Sequence, residues 1–183
     1  MEQPNTEDIH SLVKKCLQGN HKAQYDLYHA FSKAMYNTCL RFLSDSRDAE
    51  EALQNAFILI FKNMESFRGD ATIGAWIKKI VIYQCINKLK EKNLAFQDLN
   101  SHHFEIPDKE SNYDQQLEYN QSIIPMITEA VAALPTGYKT VCNLYLFEGY
   151  DHEEIANILN ISVATSKSQY SRAKQKIRET LRK

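Results

Sequence analysis

Glycine and proline are scarce in this chain, five and four among 183 residues. With so few residues that unwind or terminate helices, an all-α fold is expected. The four cysteines, Cys16, Cys39, Cys85 and Cys142, stand far apart and form no CxxC pair, which argues against a zinc ribbon and against a dithiol redox motif. Each falls inside an apolar helical pattern, so buried free thiols are expected, as suits a reducing cytoplasm. No apolar run approaches the roughly 20 residues that span a bilayer. The opening EQPNTED also lacks the basic start of a secretory signal. The expectation is a soluble, cytoplasmic protein with no insertion into membrane.

Net charge is nearly absent too, at −1, but the mean conceals the distribution. Residues 162–183 hold seven Lys or Arg against one Glu, and residues 62–92 hold seven against three acids. Two basic patches are therefore balanced by acidic stretches elsewhere, a pattern compatible with nucleic-acid binding.

The stretch at 150–173, YDHEEIANILNISVATSKSQYSRA, reads as helix, turn, helix. Asp151 is placed to cap the first helix, Glu153 and Glu154 suit its positive end, and Ile155, Ala156 and Leu159 give it an apolar side. Asn160 can enter the left-handed region cheaply, and Ser162 is a ready cap for a helix beginning at Val163. In that second helix Val163, Tyr170, Ala173, Ile177 and Leu181 recur at helical spacing. Thr165, Lys167, Ser168, Gln169, Ser171 and Arg172 are left for other faces, with side chains of the kind that meet base edges and phosphates in a major groove. The plain alternative is a helical hairpin with a solvated basic face.

Upstream, Thr6 can cap a short helix carrying Ile9, Leu12, Val13 and Cys16. A longer helix over 21–43 follows, with Leu27, Phe31, Met35 and either Cys39 or Phe42 inward. A third helix, over 47–64 and capped by Ser46 or Asp48, has an apolar stripe of Ala52, Leu53, Ala56, Phe57, Ile60, Phe61 and Met64. Glu50, Glu51, Gln54 and Asn55 lie on its outer side near Ile58 and Leu59. That acidic, amide-rich face is either a protein-docking surface or simply solvated. A loop over 66–75 holding Phe67 and Arg68 leads to a helix over 76–91, in which Ile77, Ile80, Val81 and Cys85 pack inward. Lys79, Tyr83, Asn87 and Lys90 fall on one line of it, a mixture of cations, aromatic and amide that suits melted nucleic acid. A structural tyrosine among exposed lysines is the alternative. Periodicity then fades through an acidic segment, read as a linker. Helices over 123–133 and 136–147 follow, the latter with Val141, Leu144 and Tyr145 inward.

Three ordered blocks, DAEEALQNAF at 48–57 with the following FRGD, WIKKIVIYQCINKLK at 76–90, and the run from LPTGYK at 134 to 182, resemble the extracytoplasmic-function (ECF) group of bacterial sigma-70 factors. The resemblance implies two helical domains, residues 1–92 and 123–183, joined by a linker at 93–122 that threads through RNA polymerase. It implies that Asp48, Glu50, Glu51, Gln54, Asn55 and Phe57 dock on core RNA polymerase. It further implies that Phe67, Arg68, Trp76, Lys79, Tyr83, Asn87, Lys88 and Lys90 meet the melted −10 promoter element, while Thr165, Lys167, Ser168, Gln169, Ser171 and Arg172 read the −35 duplex. An anti-sigma factor is the implied regulatory partner, and no cofactor, metal or small-molecule substrate is implied.

The chain also departs from the pattern. Tyr83 replaces a usual Asn, Asn87 a usual Asp, Asn55 and Ala56 a usual Glu-Thr pair, Ser166 a common core Val and Gln169 a common Arg. The preferred −35 letters therefore do not carry over, and a buried, unsatisfied Ser166 hydroxyl would cost about 1–2 kcal/mol. A stand-alone helix-turn-helix regulator is the rival reading, but it leaves the 76–91 helix and the acidic face without a purpose. Catalysis has only His102, His103 and Glu105 in the linker, or His152-Glu153, where Ala156 takes the place of the second His of an HExxH motif.

Overall fold

The computed structural model describes residues 6–92 and 123–182, and every regular element among them is helical. The chain forms two compact units, one within residues 1–93 and one within 94–183. The linker at 93–122, with His102, His103 and Glu105, lies outside the described residues. No helix among those described is long and apolar enough to cross a membrane.

The first unit contains α1 (Thr6–Leu17), α2 (His21–Leu43), α3 (Ser46–Lys62), a 3-10 turn (Met64–Ser66) and α4 (Ile73–Glu91). Helices α2, α3 and α4 pack mutually and α1 lies against α2. Leu27, Phe42, Ile60, Ile77, Val81, Ile82, Ile86 and Leu89 are all buried between them, each such side chain contributing about 1.5–3 kcal/mol. Cys39 and Phe42 are both inward, not one or the other.

Two boundaries move from where the sequence places them. Asp45, not Ser46 or Asp48, caps α3, its Oδ1 accepting from the backbone N–H of Arg47 at 2.9 Å and of Asp48 at 3.1 Å. Helix α4 begins at Ile73, capped by Thr72, so Gly74 belongs to its first turn rather than to a loop. The glycine has a packing reason there: a Cβ on Gly74 would meet Phe31 Cε1 at 3.1 Å, so its absence lets α4 close on α2.

The second unit contains α5 (Ile123–Ala132), α6 (Thr136–Cys142), a π-helical turn (Asn143–Phe147), α7 (His152–Leu159) and α8 (Val163–Leu181). Ala130, Val131, Leu134, Tyr138, Cys142, Ala173 and Ile177 form one cluster, with Ile127 and Tyr170 against it. The predicted start and stop of α7 both form. Asp151 and Glu154 make a reciprocal capping box, Asp151 Oδ1 accepting from the N–H of Glu154 and Glu154 Oε2 from the N–H of Asp151. Asn160 takes φ 56° at the other end.

The π turn is what the sequence does not announce. Its wider register, with the N–H of Glu148 donating to the carbonyl of Asn143, carries Tyr145 outward, where α-helical spacing would put it inside. Val141 and Leu144 remain buried. Val163 and Leu181 also face outward, because α8 turns Ser166, Gln169, Ala173 and Ile177 to the core instead. All four cysteines are free and buried, as expected.

Candidate nucleic-acid interface

In the first unit α3 and α4 sort the candidate residues by face. Glu50, Glu51, Gln54 and Asn55 are exposed, Asp48 is half-buried, and Ile58 beside them is 63% exposed. Phe57 does not belong to that surface. It is buried with its ring edge-on to Tyr28, centroids 4.8 Å apart, and tilted against Phe61; its register with Leu53 and Ile60 puts it on the core stripe.

Lys79, Tyr83, Asn87 and Lys90 are all exposed along α4, on the side away from Ile77, Val81 and Cys85. At the head of that line half-buried Trp76 packs on Phe67, ring centroids 5.5 Å apart, while Arg68 stays exposed beside Gly69, whose φ is 81°. Phe67, Trp76, Arg68 and the line thus belong to one end and one side of α4.

Lys88 does not join them. Its Nζ donates to Glu51 Oε1 at 2.5 Å, a bond that holds its pKa above the ordinary lysine value, and one turn on Lys92 pairs with Asp48. Two of the candidate docking acids are therefore partnered by lysines of the helix expected to meet DNA. Nothing in the sequence singles out Lys92, because an α3–α4 pair cannot be seen in either helix alone.

In the second unit α8 starts with Ser162 Oγ accepting from the N–H of Thr165 at 3.0 Å, and the two hydroxyls lie 2.8 Å apart. Thr165 is thus engaged in the cap. Lys167 and Ser168 are exposed, Ser171 and Arg172 half-buried, and exposed Ala164 and Gln175 extend the same solvent side. Gln169 lies elsewhere: it is only 9% exposed, sits over Gly137, and its Oε1 finds no hydrogen-bond partner among the described residues. A 100° step per residue puts position 169 about 60° from inward Ser166 and about 40° from inward Ala173.

Ser166 is fully buried and satisfied, its Oγ 2.9 Å from His152 Nδ1. The expected penalty for an orphan hydroxyl does not arise. The His152 ring stacks on Tyr145, centroids 4.8 Å apart at 20°, and approaches Tyr170 at 5.7 Å, while Tyr145 and Tyr170 lie 4.4 Å apart. Burial, followed by the nearby Cys142 and Tyr145, pushes the Tyr170 hydroxyl up to about 12, and Lys174 Nζ sits 4.9 Å from its ring centre. Among the described residues no cluster of three or more His, Cys, Asp or Glu is arranged for a metal ion.

Two family models match the chain in order, "Sigma-70 region 2" over residues 27–94 and "Sigma-70, region 4" over 125–177, together about two thirds of it. The chain belongs to the sigma-70 family. Its place in the ECF group follows from relatives matched along nearly their whole length. The RNA polymerase sigma-H factor of Pseudomonas aeruginosa is 24% identical over 96% of this chain and 94% of its own. The ECF RNA polymerase sigma factor SigW of Bacillus subtilis is 25% identical over 95% and 97%.

Among solved structures, CnrH in complex with the cytosolic domain of CnrY is similar at a TM-score of 0.51 and 18% identity, covering 93% of this chain and 94% of that one. The sigma factor RpoE of Bartonella quintana, in complex with the anti-sigma factor NepR, is similar at 0.52 and 18%, covering 86% and 96%. As an ECF sigma factor the chain serves promoter-specific transcription initiation with RNA polymerase. The region 2 match spans both the acidic face and the α4 line, and the region 4 match spans α6 through most of α8. In the sequence His152 is only half of an incomplete metal motif; its contacts make it the joint between the π turn, α7 and α8.

Proposed function

We propose that this sigma factor acts through three separate surfaces on the domain plan of residues 1–92, a linker at 93–122 and residues 123–183. Asp48, Glu50, Glu51, Gln54 and Asn55, with Ile58 among them, dock on core RNA polymerase. Phe67, Arg68, Trp76, Lys79, Tyr83, Asn87 and Lys90 hold melted −10 DNA. Lys167, Ser168, Ser171 and Arg172, with the cap at Thr165, read the −35 duplex. The protein works in the cytoplasm as a non-catalytic specificity subunit, and an anti-sigma protein of the kind bound in the similar Bartonella quintana complex is its regulatory partner.

The observation that carries this reading is the exposed Lys79, Tyr83, Asn87, Lys90 line beneath the Phe67–Trp76 ring pair. Unstacked bases need a π-face and phosphates need cations, and this line supplies both at one-turn intervals. A stand-alone regulator would give this line and the acidic α3 face nothing to do. Opening the duplex costs about 1.4 kcal/mol per stacked step, so neither DNA-facing surface is sufficient without polymerase.

The test is run-off transcription with purified core enzyme on promoter fragments. Replacing Tyr83 by Ala is expected to weaken the open complex by about 1–3 kcal/mol, the contribution of one stacked base. A stable, sequence-specific complex with promoter duplex in the absence of polymerase would overturn the proposal.

A further inference from the structure

We infer that His152 is a positioning residue for the duplex-reading helix, fixing the rotation of α8 about its own axis through its hydrogen bond to Ser166. The inference rests on the proposal that α8 reads duplex DNA, and it adds a residue that does not itself touch DNA.

The geometry leads there in three steps. The core-facing side of α8 in its N-terminal half is poor in shape: Ser166 is small, and the next inward group, Gln169, is an amide whose oxygen has no partner among the described residues. Branched apolar side chains that would key the helix into a groove are absent until Ile177. Apart from Tyr170, whose ring lies against the core cluster, apolar packing therefore leaves the rotation of this half of the helix weakly specified.

The second step is direction. A hydrogen bond is confined in distance and angle where an apolar contact is not, and the one at 2.9 Å from His152 Nδ1 to Ser166 Oγ joins the first residue of α7 to the fourth of α8. The histidine is itself held in place, stacked on Tyr145 and leaning on Tyr170, the residue one turn beyond Ser166 on the same side of α8. Ring and nitrogen together engage two successive turns of the reading helix.

The third step is leverage. Side chains reach about 5–6 Å from a helix axis, so a rotation of about 20° moves their tips by about 2 Å. That displacement exceeds the tolerance of a hydrogen bond to a base edge. Lys167, Ser168 and Ser171 lie on the same two turns as Ser166 and Tyr170 but on other faces of the helix, with Ser168 nearly opposite, so what fixes the inner residues aims the outer ones.

The experiment uses holoenzyme and two templates that share a −10 element and differ only in whether the cognate −35 element is intact or scrambled. The readout is the ratio of initiation on the two. His152→Phe keeps a ring against Tyr145 and Tyr170 but removes the hydrogen bond. His152→Asn removes the ring but keeps a hydrogen-bonding atom close to where Nδ1 stands. The inference expects His152→Phe to lower the ratio roughly tenfold, about the loss of one side chain–base contact, while His152→Asn stays near wild type.

Ser166→Ala, which cuts the bond from the other side with little change in volume, must reproduce the drop. The double variant His152→Phe with Ser166→Ala must be no worse than either single one, as residues acting through one bond require. A ratio kept by His152→Phe or by Ser166→Ala, or lost equally in His152→Asn, overturns the inference while leaving the duplex-reading proposal intact. A wild-type ratio of one, by contrast, removes that proposal and the inference with it.

Discussion

In the first unit the residues proposed to meet polymerase and DNA stand outside an apolar core, whereas in the second the reading helix turns polar side chains into the core itself. Among the described residues the first unit has one buried polar side chain, Thr38, which donates to the carbonyl of Ala34 at 3.2 Å. The second has Lys139, Thr140, Asn143, Ser166 and Gln169, and desolvation holds the Lys139 ammonium below its usual pKa. Function and stability should therefore separate in the first unit and be entangled in the second, because a buried polar group constrains geometry only while its partners are in place.

The largest expected effect tests that separation. Ile77 is fully buried on α4 and Tyr83, on the same helix, is 39% exposed. Ile77→Ala should destabilise the first unit by about 2–5 kcal/mol through the cavity it leaves. Tyr83→Ala should change folding by no more than about 0.5 kcal/mol while damaging open-complex formation. Trp76 is the only tryptophan in the chain, so its fluorescence in urea follows the first unit alone. Equal losses of stability in the two variants would break the contrast.

The next effect is smaller and of opposite sign. A buried amide oxygen without a partner costs about 1–3 kcal/mol, and among the described residues Gln169 Oε1 is in that position. Gln169→Leu, similar in volume, should raise the stability of the second unit by about 1 kcal/mol and leave −35 preference unchanged. A change in preference at a single base position would mean that Gln169 swings out to DNA, and the burial seen in the free chain would not describe the bound one.

These two cases also mark how far local sequence determines local structure. The ends of α7 and the start of α8 were legible because Asp151, Asn160 and Ser162 act on backbone groups two to four residues away. The cap of α3 was less so, since Asp45, Ser46 and Asp48 are all capable caps and only the backbone path decides among them. The start of α4 was misplaced because Gly74 looks like a loop residue until Phe31, from a different helix, is seen beside it. The π turn has no compositional mark, and its extra residue moved Tyr145 from inside to outside. Resemblance assigned Phe57 and Lys88 by aligned position, which carries no information about which way a side chain turns or which acid it meets. The His152–Ser166 bond spans 14 positions and two helices, so neither partner alone reveals it.

The smallest expected effect is silent at neutral pH and distinguishes the units by how strongly each weakens in alkali, where burial also raises the Cys16 thiol of the first unit. Backbone N–H groups, that of Asp48 foremost, hold the Asp45 carboxyl below its ordinary value of 3.8. A depressed carboxyl contributes stability that is present above that value and lost as pH falls through the folded one, so the first unit should soften in acid at the start of α3. In the second unit burial pushes the Cys142 thiol up from 9.0 to about 11 and Tyr170 from 10.0 to about 12. A raised pKa contributes stability that is fully present below the unfolded value and lost as pH climbs to the folded one, which sets an alkaline window from 9 to about 12. Methyl NMR of Ile77 and Ile177 during urea unfolding would follow the two units separately, with Cys142→Ala expected to flatten the lower part of the alkaline decline at Ile177 and leave Ile77 untouched. An alkaline decline that is equal at both methyls, or unchanged by removing the thiol, would show that the burial of Cys142 and Tyr170 does not set the difference between the units.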